Sequence, residues 1–282
     1  MNKEKELKQQ IKQLQEENRI LLHQVDELNK KLVESESFKS HFLSNVSNEI
    51  INPFASVMGL AQQIMNLKED RTNKAAELAR LIFSEAATLD FQLNNIFVAA
   101  RLEAGEETPE YTSINILEIT GHALDNIRHK ADDKQIKFDL DIASGLTGFV
   151  TDRKKLELIL INLLDNAIKF SPSGITVALR VKRSGKNLSI EVEDKGIGMK
   201  KEEITRIFDR FHRANPTIQS LTPGSGLGLA VVEGLLFILG GKAEINSAPD
   251  RGTTVRILIP EGNPENITFD DNLFFEENEE SF

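Results

Sequence analysis

The chain has 282 residues, 40% of them hydrophobic, which supports one well-cored domain with extended helices or two modest domains and excludes collagen-like or wholly disordered chains. Thirty-four basic against 44 acidic residues give a net charge of −10, a balance that disfavours nonspecific binding to nucleic acid or anionic membranes. Cysteine is absent, which excludes disulfides, thiolate metal sites and thiol nucleophiles; the N-terminus lacks an apolar signal core and no apolar run spans a bilayer, so a cytoplasmic protein without a direct membrane segment is expected.

Leu7, Ile11, Leu14, Asn18, Leu21, Val25, Leu28 and Leu32 alternate four- and three-residue steps among Lys, Glu and Gln. This heptad pattern predicts a parallel coiled coil over residues 1–37, with Leu at d, β-branched Ile11 and Val25 at a, and Asn18 fixing register. A single charged amphipathic helix is the simpler alternative. The same phase runs through Phe42 and Val46, placing Asn48 outward, until Pro53 interrupts it. Beyond Pro53, the residues Phe54, Val57, Leu60, Ile64 and Leu67 keep a helical period, so the proline is expected to bend that helix without ending it.

A second amphipathic helix is expected from about Ala75 to Glu103, with Leu78, Ile82, Leu89, Leu93, Ile96 and Ala100 on one stripe. Two such stripes cannot bury each other alone. Residues 38–107 therefore read as a helical hairpin that dimerises into a four-helix bundle, with Gly105 as a C-cap and Glu106 to Pro109 as a linker.

Residues 108–262 alternate helices and strands. Helices are expected at Ile114 to Asp132, Asp152 to Phe170 and Gly226 to Leu239. Strands are expected at Ile136 to Ile142, Ile175 to Lys182, Leu188 to Glu193, Ala243 to Asn246 and Thr254 to Ile259. The short connections predict mostly antiparallel pairing in an α+β domain. Residues 263–282, acidic and bearing Phe269, Phe274, Phe275 and Phe282, read as a disordered tail able to dock on a partner.

Three patterns in the last domain point to nucleotide chemistry. Asp152 can cap a helix whose core face carries Leu156, Leu160, Leu163 and Ala167, while Asn162, Asn166 and Lys169 share the opposite stripe. An Asn carbonyl suits hard Mg²⁺, which keeps waters and phosphate oxygens as its other ligands, and Lys169 can neutralise phosphate. Alone, the stripe is an ordinary solvated face. Asp194 ends a strand and is followed by Gly196 and Gly198, where a ligand can approach bare backbone. A polar stretch with Phe208, Phe211 and Arg213 then leads to Gly224, Gly226, Leu227 and Gly228, whose amides at a helix start can hold an anion. Each glycine motif alone is weak; their order makes the set specific. No GxxxxGK[ST], HExxH or GxSxG occurs, and the second glycine cluster lacks the third Gly of a dinucleotide fingerprint.

These motifs resemble the N, G1, F, G2 and G3 boxes of the Bergerat-type ATPase fold shared by histidine kinases, gyrase and ATP-driven chaperones. The run Phe42-Leu43-Ser44-Asn45-Val46-Ser47-Asn48-Glu49-Ile50-Ile51-Asn52-Pro53 resembles the H-box of two-component sensor histidine kinases, F-L-A-N-V-S-H-E-L-R-T/N-P. Together the resemblance covers about residues 38 to 260. It implies an α plus α+β chain with a coiled coil, a dimerisation hairpin and an α/β-sandwich ATP domain, with ATP and Mg²⁺ as cofactors. It also implies Asn166 as the Mg²⁺ ligand, Asn162 and Lys169 at the phosphates, and Asp194 as the adenine reader. Gly196, Gly198, Gly224, Gly226 and Gly228 would shape lid and cradle, and Thr253 would lie near adenine.

Two positions depart from the family. Asn48 stands where the phosphoryl-accepting His belongs, and Ile51 where Arg belongs. An amide nitrogen is delocalised and offers phosphorus no lone pair. His41, about 10.5 Å away along the helix, is read as a solvated residue and not a substitute acceptor; His23, His122, His129 and His212 are read as coil, surface-helix and lid residues. Asn162 cannot act as the water-activating base that hydrolytic relatives carry, so transfer is expected over hydrolysis. Three functions stay open: Mg-ATP-dependent phosphorylation of a partner kinase or phosphotransfer protein in trans, dephosphorylation of a response regulator using Glu49 and Asn52, and a non-catalytic ATP-sensing scaffold. A homodimer is expected throughout.

Overall fold

The computed structural model describes residues 15, 18–23, 25, 50–67, 72–208, 226–263 and 265. The chain divides into two units, Met1–Asn48 and Glu49–Phe282. In the first, residues 15, 18–23 and 25 are helical, and Leu21 and Val25 are exposed. The remaining heptad positions Leu7, Ile11, Leu14, Leu28 and Leu32 lie outside the described residues. So do His41, Phe42, Val46, Asn48, Glu49, the lid residues Phe211, His212 and Arg213, Gly224, and the tail phenylalanines.

The second unit opens with helix α1 (50–65), which contains Pro53 in its first described turn. Helix α2 (Thr72–Ala104) closes at Gly105, whose φ of 68° is the left-handed cap geometry; Glu106 N donates to Arg101 O at 3.0 Å. The buried face of α2 differs from the expected stripe. Leu78 and Ile96 are buried as predicted, but Ala100 is exposed and Asn95, Val98 and Ala99 are buried instead. The last turns of α2 pack on the helix Gly228–Ile238, with Leu102 lying against Gly234, and this contact rotates the buried surface away from the expected stripe.

Strand β1 (Thr112–Asn115) and strand β3 (Thr147–Thr151) form an antiparallel pair beside a five-stranded sheet. Neither strand is predicted from periodicity, and Ile114 is expected in the following helix. Helix α3 (Ile116–Asp133) instead starts two residues later, because Asn115 Oδ1 caps Leu117 N at 3.1 Å. Ile114 and Ile116 are both buried, a two-residue spacing that fits a strand end as well as a helix start.

The sheet order is β2-β4-β5-β7-β6, with β2 (Lys137–Ile142), β4 (Thr176–Ser184), β5 (Asn187–Asp194), β6 (Lys242–Ser247) and β7 (Thr253–Pro260). All pairings are antiparallel except β2–β4, where β3 and helix α4 (Arg153–Phe170) lie between the two strands and supply the crossover. One face of the sheet carries Val177, Leu179 and Val181, then Leu188, Ile190 and Val192, then Ile257 and Ile259, all buried. Register stacks them, Val181 opposite Ile190 and Ile190 opposite Ile257. Helix α4 packs over β5, flanked by α3 and by α6 (Gly228–Ile238), with a short α5 (Lys201–Ile204) near β6. Leu156, Ile159, Leu160 and Leu164 of α4 are fully buried, each contributing roughly 1.5–3 kcal/mol of apolar transfer.

Candidate nucleotide site

Helix α4 is anchored at both ends by groups that carry charge. At its start, Asp152 Oδ1 accepts from Lys155 N at 3.0 Å, and Asp152 Oδ2 accepts from Lys155 Nζ and from Glu110 N, both at 2.8 Å. Lys155 Nζ also pairs with Glu107 Oε1 at 2.9 Å, and Glu107 Oε2 with Arg101 Nε at 2.8 Å. The segment read as a linker thus holds a buried carboxylate tied to α2 and α4. Burial disfavours the Lys155 cation, but its bonds to Asp152 and Glu107 outweigh this and hold its pKa above the ordinary lysine value.

At the other end, Lys134 Nζ donates to the carbonyls of Ile168, Lys169 and Ser171 at 3.0, 2.7 and 3.2 Å. These are carbonyls that a helix end leaves without amide partners. Lys130 Nζ reaches Asp165 Oδ1 at 2.6 Å, tying α3 to the same helix. Lys134 and Lys130 carry no sequence motif; only the fold shows that α3 buttresses the Asn-bearing helix.

Between these anchors α4 presents Asn162, Asn166 and Lys169 on one stripe, as predicted. The stripe is not a solvated face: Asn162 is 2% exposed. Its Nδ2 donates to Leu158 O at 2.9 Å and to Asn95 Oδ1 of α2 at 2.8 Å. Gly228, the first residue of α6, faces the stripe so closely that a Cβ there would sit 2.7 Å from Asn162 Oδ1 and 3.7 Å from Asn166 Nδ2. Gly226 has φ 73° and Leu227 is buried, so the chain turns sharply into α6, whose first residue lies against the two asparagines. Lys169 Nζ lies 5.3 Å from the Phe170 ring centroid.

The other end of the site lies where β5 and β7 pair. Asp194 Oδ1 accepts from Gly196 N at 2.8 Å and from Thr253 N at 3.2 Å, leaving Oδ2 without a protein partner among the described residues. Burial pushes the Asp194 carboxyl above the ordinary aspartate range, partly offset by the Gly196 and Thr253 amides. Gly196 packs against the Phe170 carbonyl at the end of α4, and Ile197 N donates to that oxygen at 3.3 Å. Gly198 packs on the Ala248 carbonyl. Their missing side chains are therefore required by neighbouring backbone, besides any ligand. Gly252, at φ 78°, abuts the Asp194 carbonyl and admits no Cβ.

Ser247 joins these turns. Its Oγ accepts from Met199 N at 2.9 Å, lies 2.9 Å from Gly252 O, and meets Thr253 Oγ1 at 2.9 Å. Sequence reasoning misses Ser247, which lies outside every motif. It also misses Asn95, although an amide within the apolar face Leu89, Leu93 and Ile96 is the kind of signal that marks a specific buried partner. Asn52, by contrast, is exposed on α1.

Residues 151–263 match the family described as histidine kinase-, DNA gyrase B- and HSP90-like ATPase. The circadian input-output histidine kinase CikA of Synechococcus elongatus is 29% identical over 88% of this chain and 34% of its own length. The sensor-like histidine kinase SenX3 of Mycobacterium tuberculosis is 31% identical over 80% of this chain and 54% of its own. Full-length ShkA, solved in complex with AMPPNP, aligns with a TM-score of 0.56 at 25% identity over 78% of this chain and 46% of that one. The chain thus spans about a third to a half of the length of these curated relatives. Residues 151–263 thus carry a domain of the histidine kinase, gyrase B and HSP90 ATPase type, and over most of its length the chain is similar to sensor histidine kinases.

Proposed function

We propose that this protein binds Mg-ATP and transfers the γ-phosphoryl group to a histidine of a partner protein in trans, without phosphorylating its own H-box. The observation that carries the nucleotide assignment is Asp194, whose Oδ1 is held by two backbone amides while Oδ2 keeps its acceptor capacity. That oxygen suits the exocyclic amine of adenine, with Thr253 beside it. Asn166 offers one neutral oxygen to Mg²⁺. No group of three His, Asp or Glu able to hold a metal exists among the described residues, which fits a cation that keeps phosphate and water as its main ligands. When bound, Mg²⁺ neutralises phosphate charge. Asn162 and Lys169 neighbour the phosphates, while Gly196, Gly198, Gly224, Gly226, Leu227 and Gly228 shape cradle and lid.

Transfer forms a bond from a partner imidazole nitrogen to Pγ and breaks the Pγ–O bond to ADP. Asn48 cannot be that nucleophile. No side chain of the site stripe is a general base for water, since Asn162 and Asn166 are amides and Lys169 is a cation. The protein acts as a cytoplasmic homodimer through a parallel coil over 1–37 and a hairpin over 38–107. Support for the hairpin interface comes from large apolar side chains exposed on α1 and α2, among them Phe54, Met58, Phe83 at 75% and Phe97 at 62%. The partner is a response regulator, or else a partner kinase or phosphotransfer protein. Exposure of Asn52 on α1 favours a second reading, regulator dephosphorylation with Glu49 and Asn52.

Incubation with γ-labelled ATP, with and without candidate partners, tests this. Acid-labile label on a partner is expected, and none on the chain itself. Faster loss of label from a phosphorylated regulator supports the second reading. Asn48→His with Ile51→Arg should gain phosphohistidine, and adding Asn166→Ala should abolish it. A folded double variant that binds ATP yet stays unlabelled, alongside unlabelled partners, indicates a sensing scaffold.

A further inference from the structure

The two asparagines Asn95 and Asn162 lie 67 positions apart in sequence and meet in the interior. Asn95 is buried on α2, its own Nδ2 donating to Phe91 O at 3.2 Å, so its Oδ1 is the end that faces Asn162. Asn162 Nδ2 has two donor hydrogens, and both are used, one on Leu158 O and one on Asn95 Oδ1. This pattern decides which way the Asn162 amide points. The nitrogen is turned toward α2, and the oxygen is presented at Gly228, where α6 begins.

The orientation matters chemically. A presented oxygen accepts from metal-bound water or from the first amides of α6, and it repels bare phosphate oxygens. A presented NH₂ would do the reverse. An Asn with only the Leu158 carbonyl to satisfy could turn either way, because its two ends are nearly the same size.

We propose that Asn95 is a positioning residue of the nucleotide site supplied by the bundle helix, which fixes the Asn162 amide with its oxygen toward the phosphate cradle and so makes the site selective for the magnesium-bound nucleotide. The inference rests on the nucleotide reading above. Packing of α2 on α6 brings this residue to Asn162 of α4, so the docked bundle helix and the metal preference of the site are linked through one hydrogen bond.

Calorimetry on the full chain, titrated with ATP in excess Mg²⁺ and in chelator, gives the enhancement of affinity by the metal. Asn95→Leu is expected to lower that enhancement roughly three- to tenfold, the worth of one hydrogen bond that sets an orientation. Asn95→Asp keeps an acceptor for Asn162 Nδ2 but loses the donor to Phe91 O, and should retain more of the enhancement than Asn95→Leu does. In an Asn162→Ala background, Asn95→Leu should change it no further, since no amide remains to orient. Thermal unfolding of each variant shows that it is folded. An equal drop in both backgrounds, or no drop in either, overturns the proposal while leaving the nucleotide site intact. If the unsubstituted chain binds no ATP with or without metal, the nucleotide reading itself falls and this inference falls with it.

Discussion

The two ends of the nucleotide site are built in different ways. The Asp194 end is assembled almost wholly from main chain: two amides on one carboxylate oxygen, Ser247 stitching adjacent turns, and Gly252 pressed against the Asp194 carbonyl. The asparagine end is assembled from side chains of separate helices, with α2 reaching Asn162 through Asn95 and α6 reaching it through Gly228. A main-chain frame changes little unless the sheet itself opens. An end assembled by separate helices can respond to how those helices sit. On the proposed reading, recognition of the base belongs to the main-chain end, and sensitivity to the helical region to the other.

The largest effect should come from the junction that holds the asparagine end. Lys155 is almost fully buried between Glu107 and Asp152, which in turn tie to Arg101 of α2 and to the Glu110 amide. Lys155→Met leaves Asp152 without its cation and Glu107 with Arg101 alone, a loss of about 3–5 kcal/mol when one partner of a buried pair is removed. Denaturant unfolding should show a correspondingly lower midpoint. Substituting Lys154, exposed and 3.7 Å from Glu110, should cost under about 1 kcal/mol and serves as the control. Equal effects would mean that the buried junction is not the frame of α4.

At the base end, Asp194→Asn should weaken ATP binding on the order of tenfold to a hundredfold, because a charge-assisted hydrogen bond is replaced by an amide that can also present a donor. Ser247→Ala should weaken it by less than about tenfold, since Ser247 acts through Met199, Gly252 and Thr253. Both follow from binding isotherms. If Ser247→Ala proved the more harmful, the turn geometry and not the carboxylate would dominate recognition.

Sequence reasoning reaches the Asp194 turn and the α4 stripe because their motifs are local: a strand-final Asp with alternate glycines, and Asn, Asn and Lys at helical spacing on a helix capped by Asp152. It reaches the helices and most sheet strands for the same reason, since apolar periodicity within one element needs no partner. It fails where tertiary partners decide. Ala100 is exposed and Asn95 buried because α6 selects the face of α2, and no periodicity within α2 contains that information. Strand β3 is short and half-exposed, and its pairing with β1 lies in a partner far along the chain. The Glu107 carboxylate looks like linker charge until Lys155 and Arg101 are brought to it. His129, read as a surface residue, has Nε2 buried and without a hydrogen-bond partner among the described residues, and burial pushes its pKa down.

The smallest effect is a difference in pH dependence that separates recognition from stability at one carboxyl. Burial raises the Asp194 pKa in the folded protein above the value near 3.9 of an unfolded aspartate. Between those two values the folded state binds more protons than the unfolded state, so this group makes stability rise as pH falls through its folded pKa. ATP affinity should move the other way over the same window, because protonation removes the anionic acceptor for the adenine amine. Other carboxyls titrate nearby, so the measurement is a difference between the unsubstituted chain and Asp194→Asn, taken from pH 7 down toward pH 4. The unsubstituted chain should gain stability relative to the variant on acidification and lose its affinity advantage. If both differences stay flat across that range, the Asp194 charge plays no part in holding the base, and recognition would pass to the amides and turns around it.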